Sequence, residues 1–503
     1  MSSHGMATHV LDECLLNEKS ERASLRKGEA FSTLVVMILS LSPIFAQSPP
    51  LSPSRPWHSP EQKIIAREGK GNRQKAFLPS SGQSWTLAAL IDFAESHNPE
   101  TRVSWEGAVA QAEALGIARS ELFPLLSAAV LSGVQRYEVP FGLQFYRQTL
   151  GAFQASLDLS YTIFDFGARR GRIDTERARL LAANFAFNDV HRNLIFQVQQ
   201  TYYRLLNAAG QEAAARASLA NAEQVQQSAE ARLQNGLATL PDVLEARSAT
   251  AQAQYDLQAI LGVEQVARGD LATALSLPAA TTIPVQPLDE IPTPESVGET
   301  VEQVMERALE QRPDLQVEAA GVRAANAERQ QARAAFYPDL KFRAEPTAGS
   351  LYFQQQNLPW GYTAGLTGQL ALTMNWTVFD GGARRSRLEQ AEAGIRESEA
   401  RVNAASDRIE DEVWTAYSNL TTAFRQREAA TALLTASTES YNSSLESYNY
   451  GVRNLLDVTA AQKVLAGARS ADVLARTQVL TALADLAYRA ADSIQANIGS
   501  PHK

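Results

Sequence analysis

The sequence predicts a mixed α/β membrane protein, in which a transmembrane β-barrel drawing four strands from each protomer continues into a long α-helical coiled-coil barrel. Three observations lead there. A strand-turn-helix signature occurs twice, as Tyr161-Thr-Ile-Phe164-Asp165-Phe-Gly167-Ala-Arg-Arg170 and Trp376-Thr-Val-Phe379-Asp380-Gly-Gly382-Ala-Arg-Arg385, with an offset of 380 minus 165, or 215 residues. Period-two alternation precedes each copy, and a long proline-free helical pattern follows each. Farther on, Gly236 and Asp242 match Gly451 and Asp457 at the same offset. Two halves of one architecture explain this order better than two independent domains.

The elements follow in chain order. Arg22, Arg26 and Lys27 precede an apolar run over residues 31–45, which is too short for an ordinary spanning helix. Residues 1–46 therefore read as a signal peptide with an extended n-region, ending near Ala46. The one cysteine, Cys14, lies in that segment, so a processed chain has no disulfide, thiol nucleophile or lipid-bearing cysteine. The net charge is -9; removing four Lys/Arg and five Asp/Glu with residues 1–46 leaves -8. No basic block recruits nucleic acid. Residues 47–84, rich in Ser, Pro, Lys and Gln, read as a flexible lead-in.

The first repeat occupies residues 85–277. It opens with helical spacing over 85–94 and 104–121, broken at Asn98-Pro99, with Ser104 as a candidate N-cap. The second repeat, 295–496, keeps this order: 300–311, Arg312-Pro313, then a helix to about Ala335. The strongest strands are 153–163 and 369–378, each with one apolar and one polar face. Weaker partners are expected at 125–134 and 340–345, joined through loops at 135–152 and 346–366. A soluble sheet with one solvated face gives the same alternation; the export signal and the repetition favour a membrane barrel. Four strands cannot close around a useful hole, so several subunits must share one barrel.

From Gly167 to Gly236 no proline interrupts the chain, a reach of about 100 Å at 1.5 Å per residue. Ile173, Leu180, Phe187, Leu194, Val198 and Leu205 mark a coiled-coil seam, and the second copy repeats it at Leu388, Ile395, Val402, Ile409, Val413 and Leu420. Return helices are expected at 241–277 and 455–496. Between the repeats, residues 278–294 carry five prolines and read as an extended linker; residues 497–503 form a C-terminal tail.

These paired signatures, paired glycine turns and the linker resemble the outer-membrane efflux protein family, the TolC-like channels, over about residues 85–496. The resemblance implies a homotrimer with a twelve-stranded β-barrel and a periplasmic α-barrel. It implies a bacterial outer-membrane exit duct of a tripartite efflux pump or type I secretion system. The implied partners are outer-membrane lipid, a periplasmic membrane-fusion adaptor and an inner-membrane transporter of RND, MFS or ABC type. No cofactor, metal or nucleic acid is implied.

Two motifs carry over. Tyr161, Phe164, Asp165 and Gly167, with Trp376, Phe379, Asp380 and Gly382, match the junction where a strand becomes a long helix. An aromatic suits the membrane interface, Asp can cap a helix, and Gly permits the turn. At the far turn, Tyr448, Arg453 and Asp457 match family residues that constrict the closed periplasmic end, and Asp457 would form an acidic ring. Gly236, Asp242 and Glu245 are their first-repeat counterparts, and the turns holding Gly236 and Gly451 would meet the adaptor. A second pore acid found three residues on in the family is Ala460 here. A plainer reading stays open, because Thr239/Asp242 and Asn454/Asp457 each fit a helix cap, and Arg453 fits an exposed turn charge.

No catalytic constellation competes. His58, His97, His191 and His502 have no metal-ligand spacing, and the glycines at 381–382 lack the surroundings of a phosphate loop. The rival readings are an exported coiled-coil scaffold without a lumen, and a surface adhesin or receptor on the same barrel. An enzyme is not expected.

Overall fold

The computed structural model describes residues 84–491, apart from 142, 143, 295, 297 and 357. The expected signal peptide, nearly all of the 47–84 lead-in, residues 492–496 and the C-terminal tail lie outside the described residues; the last return helix, expected to reach 496, ends at Arg489, with Ala491 at φ +58°. In chain order the elements are α1 (Leu87–His97), α2 (Pro99–Ser120), β1 (Leu125–Phe141), β2 (Gln144–Phe164), α3 (Ala168–Gln234), α4 (Leu240–Ala274), α5 (Val301–Gln311), α6 (Pro313–Ala334), β3 (Asp339–Gln355), β4 (Gly361–Asn375), α7 (Ala383–Asn449) and α8 (Leu455–Arg489).

The break at Asn98-Pro99 is real, but α2 starts at the proline itself. Asn98, not Ser104, is its cap, accepting the Glu100 N–H at 2.7 Å. A proline at the first helical position sacrifices no hydrogen bond. Thr300 caps α5, with Gln303 reaching back to the Thr300 N–H at 3.1 Å. The linker runs over the helical body: Trp85 pairs with Val285, and Ile283 and Leu288 are buried in the core around Leu90, Tyr202, Leu206 and Leu271.

The four strands form one antiparallel sheet in the order β1-β2-β3-β4. Most of the expected loops at 135–152 and 346–366 are strand. Their polar residues mimic loop composition, yet the ladder persists through Phe141↔Gln144 and Phe353↔Gly361. Arg136 Nε donates to Thr149 Oγ1 at 3.1 Å across that extension. A 17-residue strand spans about 56 Å, beyond an apolar layer about 30 Å thick, so the outer ends need no apolar face.

At the other end, β4 stops at Asn375, so Trp376 and Val378 are not strand residues as expected. Their partner backbone is missing: β3 begins at Asp339, opposite Asn375, and Pro338 before it has no N–H. Trp376 Nε1 instead bonds the Phe336 carbonyl at 3.2 Å.

Register aligns one apolar face across all four strands. Val130 faces Ala155, Ala155 faces Ala348, and Ala348 faces Leu366. Phe153, Leu370, Leu372 and Met374 share that face and are largely exposed in the protomer. The opposite face holds Arg343, which bonds Asp158 Oδ2 through Nε at 2.6 Å. Both edges, β1 and β4, are unpaired within the chain.

Helices α3 and α7 each run 67 residues. Near the sheet, α2, α3, α6 and α7 pack in that order; toward the far end the order is α4, α3, α8, α7. The seam is partly as expected. Leu194, Val198, Leu205, Ile409, Val413 and Leu420 are buried, whereas Leu180, Phe187, Leu388 and Ile395 are only half-buried. The buried ones lie midway, where the short helices α1 and α5 add Leu90 and Ala94 over α3 and Val304 and Ala308 over α7.

An ionic girdle ties the repeats together midway. Arg312 is 3% exposed and bonds Asp314 Oδ2 at 2.7 Å and Glu412 Oε2 at 2.8 Å. Arg489 also reaches Glu412 at 2.9 Å, and Arg192 reaches Asp314 at 3.5 Å. Burial pushes the Asp314 and Glu412 carboxyls up, but hydrogen bonds and charge from Arg312 outweigh it, holding both below their ordinary 3.8 and 4.5. Depressed carboxylates stabilise the fold above their unfolded values and lose that contribution as pH falls through the folded ones. The protection of α6 and α8 amides, their exchange rate relative to that of an unfolded chain at the same pH, is therefore expected to hold from neutrality to about pH 5 and to fall only below about pH 4. A fall already near pH 6 would contradict this assignment.

Candidate functional site

The two junctions are built alike. Asp165 Oδ1 accepts the Gly167 N–H at 3.2 Å, while Oδ2 accepts the Arg169 N–H at 3.0 Å and its Nε at 2.8 Å. Asp380 does the same with Gly382 at 3.2 Å and with Arg384 at 3.0 and 2.9 Å. Gly167 and Gly382 are the N-cap residues, at φ +94° and +92°, a region where a β-carbon is strained. The aspartates thus cap from two residues upstream. Partial burial raises the Asp165 carboxyl, but the Arg169 amide and guanidinium and the Gly167 amide together hold it below the usual range. Tyr161 and Phe164 lie in β2, opposite Phe342 and Leu340, whereas Trp376 and Phe379 follow β4. Phe379 is 85% exposed.

The far turns also repeat. In the first, Gly236 (φ +68°) donates to Leu233 O and Leu237 to Arg232 O; in the second, Gly451 (φ +76°) donates to Tyr448 O and Val452 to Ser447 O. Both close the preceding long helix by satisfying carbonyls that its end leaves free. One apolar cluster then joins the hairpins: Val225 and Ala229 of α3, Val243 of α4, Tyr448 of α7, and Leu455 and Val458 of α8.

The candidate gate residues separate into distinct roles. Asp242 is a cap: its Oδ2 accepts the Thr239 N–H at 2.8 Å and the Thr239 hydroxyl at 2.7 Å. Those two bonds, backbone first, hold its carboxyl below the usual range against a small desolvation. Asp457 differs. Its N–H is capped by Asn454 Oδ1 at 2.9 Å, and among the described residues its exposed carboxylate accepts no hydrogen bond. Glu245 is exposed and lines a groove of about 900 Å³ floored by α3 between α4 and α8, with Gln211, Ala253, Ala460 and Lys463.

Tyr448 is 5% exposed and sits beneath a guanidinium the sequence did not single out: Arg232, whose Cζ is 4.7 Å from the ring centre. Arg232 Nη1 also donates to the Asn449 carbonyl at 3.1 Å. Arg453 turns back to its own hairpin, bonding Ser444 Oγ at 3.2 Å. Among the described residues, then, Tyr448 meets the other hairpin, and Arg453 and Asp457 make no hydrogen bond or ion pair to it. Arg232 lies four residues before Gly236, as Tyr448 lies three before Gly451. Both occupy the last turn of a long helix, and that shared position was the available signal.

Comparison with known proteins agrees with the repeated build. Protein CyaE of Bordetella pertussis is 30% identical over 407 residues, 80% of this chain and 83% of that protein. Outer membrane protein OprJ of Pseudomonas aeruginosa is 27% identical over 406 residues, covering 80% and 82%. The solved structure of the outer-membrane channel OprN has the same fold, with a TM-score of 0.71 at 20% identity, covering 80% of this chain and 89% of that one. The family model described as outer membrane efflux protein matches twice, at residues 90–276 and 304–490, one match to each repeat. With a TolC-like fold and both copies of the family's unit, the chain belongs to the outer membrane efflux protein family, whose members are outer-membrane channels rather than enzymes.

Proposed function

We propose that this protein is the passive outer-membrane exit duct of a tripartite efflux pump or a type I secretion system. The observation that carries the reading is the sheet. It has one continuous apolar face and two long unpaired edges, and it leads directly into helices of 67 residues. Unpaired edge amides are intolerable in lipid, so β4 of one copy must pair with β1 of another until the ring closes. Three copies give a twelve-stranded barrel, with the apolar face toward lipid and the polar face toward water. The helices then form the periplasmic wall. An inner-membrane transporter supplies the energy and an adaptor joins it to the far turns.

Those turns suit a docking role. Leu237 and Leu240 at one tip, and Tyr450 and Val452 at the other, are each at least 60% exposed. Apolar side chains gathered at a tip are what a partner's helical hairpin would cover. Asp457, whose carboxylate accepts no hydrogen bond among the described residues and is exposed beside them, is the group that converges into an acidic ring in a closed trimer.

Single-channel recording of the purified oligomer in a planar bilayer tests both points. The wild type is expected to conduct. Asp457→Ala is expected to weaken block by a divalent cation about tenfold, equivalent to about 1.4 kcal/mol of lost attraction. An oligomer that inserts and never conducts sinks the duct, and an unchanged block removes Asp457 from the gate.

A further inference from the structure

The fold leaves several polar atoms unpaired in one stretch of the helical body. Among the described residues, the buried side-chain atoms without a hydrogen-bond partner are Arg232 Nε, Tyr441 Oη, Tyr448 Oη, Gln462 Oε1 and Arg469 Nη1. They belong to α3, α7 and α8, on the turn-side half of each long helix and in the first half of α8. Tyr441 and Tyr448 are seven residues apart on one face of α7, and both are 5% exposed within the cluster that joins the two hairpins. Each such atom has lost water and gained no partner, so this packing carries a desolvation cost that wetting would return.

Arg232 is the group that spans the layer. Its guanidinium covers the Tyr448 ring, and its Nη1 bonds the carbonyl of Asn449. One turn earlier, Ser228 Oγ approaches Asn449 Oδ1 at 3.5 Å. Near the turns, these are the hydrogen bonds between the two hairpins among the described residues, and both end on Asn449. Arg453 is committed to Ser444 of its own hairpin and contributes none.

We propose that Arg232 is the clasp between the two hairpins of a protomer, and that the gate opens when this guanidinium leaves Tyr448 and Asn449 for water. The inference rests on the duct reading above and adds to it the residue that positions the moving parts. Two opposed effects make the clasp releasable. The apolar cluster and the cation–π contact hold the hairpins together. Against them, opening hydrates Arg232 Nε and the Tyr448 hydroxyl, which are buried and unpaired in this packing. The guanidinium keeps its charge throughout, so release needs no proton, only a competitor for the tip (an adaptor hairpin) or thermal parting of the helices.

The test uses the full-length oligomer in detergent and in bilayers, with Arg232→Gln, Tyr448→Leu, the double variant, and Tyr448→Phe. Open-state occupancy is expected to rise about fivefold in Tyr448→Leu, the size of one cation–π contact, further in Arg232→Gln, which also loses the bond to the Asn449 carbonyl, and no further in the double variant than in Arg232→Gln. Tyr448→Phe keeps the ring and removes an unpaired hydroxyl, so it is expected to lower occupancy. Hydrogen exchange over residues 225–246 and 441–458 supplies a readout independent of conduction, and Arg232→Gln is expected to speed it. Additive effects in the double variant, or exchange in Arg232→Gln matching the wild type, overturn the clasp. An oligomer that never conducts, yet loosens at those segments in Arg232→Gln, upholds the clasp and defeats the duct reading instead.

Discussion

Arg312→Ala is expected to cost about 3 kcal/mol of stability, the lower end of what breaking a buried ion pair costs. The side chain is 3% exposed and places three N–H groups on two carboxylates: Nε on Asp314 Oδ1 at 3.0 Å, Nη2 on Asp314 Oδ2 at 2.7 Å, and Nη1 on Glu412 Oε2 at 2.8 Å. Removing it strands two partly buried negative charges. The loss stops short of the upper end because Asp314 keeps Arg192 at 3.5 Å and Arg408 at 3.4 Å, and Glu412 keeps Arg489 at 2.9 Å. Arg312 precedes α6 as its N-cap residue, but its side chain makes no capping bond, so alanine removes the ion pairs and little else. Urea unfolding followed by helical circular dichroism measures the loss. A change below about 1 kcal/mol would falsify Arg312 as a buried tie between α6 and α7 and leave its pairs a wet surface network.

How much of this was legible in the sequence depends on where each residue's partners lie. The junctions were readable because every contact is local: Asp165 reaches Gly167 and Arg169, and Asp380 repeats it with Gly382 and Arg384. The long helices were readable because no proline or run of turn residues interrupts the three-four spacing. Strand length was not, because Gln135, Arg136, Glu138 and Arg147 have loop composition while their backbones pair across a hairpin. Composition reports the solvent, and beyond the lipid both faces of a strand meet water. Arg312 read only as the residue before a helix-starting proline, since Glu412 is 100 residues away. Arg232 was missed for the same reason, with Asn449 217 residues distant. Tyr448 was found through a motif, but its partner was not, because the motif describes one hairpin and the contact joins two.

Gly171 offers the sharpest contrast between local preference and packing. Near the start of α3, a β-carbon at this position would stand 2.9 Å from the Gln331 amide nitrogen and 3.0 Å from the Ala327 carbonyl oxygen, both backbone atoms of α6. Neither can rotate away, so α3 and α6 approach at a distance that only glycine allows. Alanine is the better helix former by about 1 kcal/mol, and on propensity alone Gly171→Ala should stabilise the protein. It is expected instead to destabilise by about 1–2 kcal/mol, and Gly171→Leu by about 3 kcal/mol, as in other overpacked contacts. Gly394, in the equivalent long helix α7, has open space around its would-be β-carbon. Gly394→Ala is accordingly expected to stabilise by about 0.5–1 kcal/mol. The same substitution thus carries opposite signs in the two repeats, and paired urea titrations read that sign directly. Equal loss in both would mean that a second chain covers α7 as closely as α6 covers α3; equal gain would mean that α3 and α6 do not meet as described.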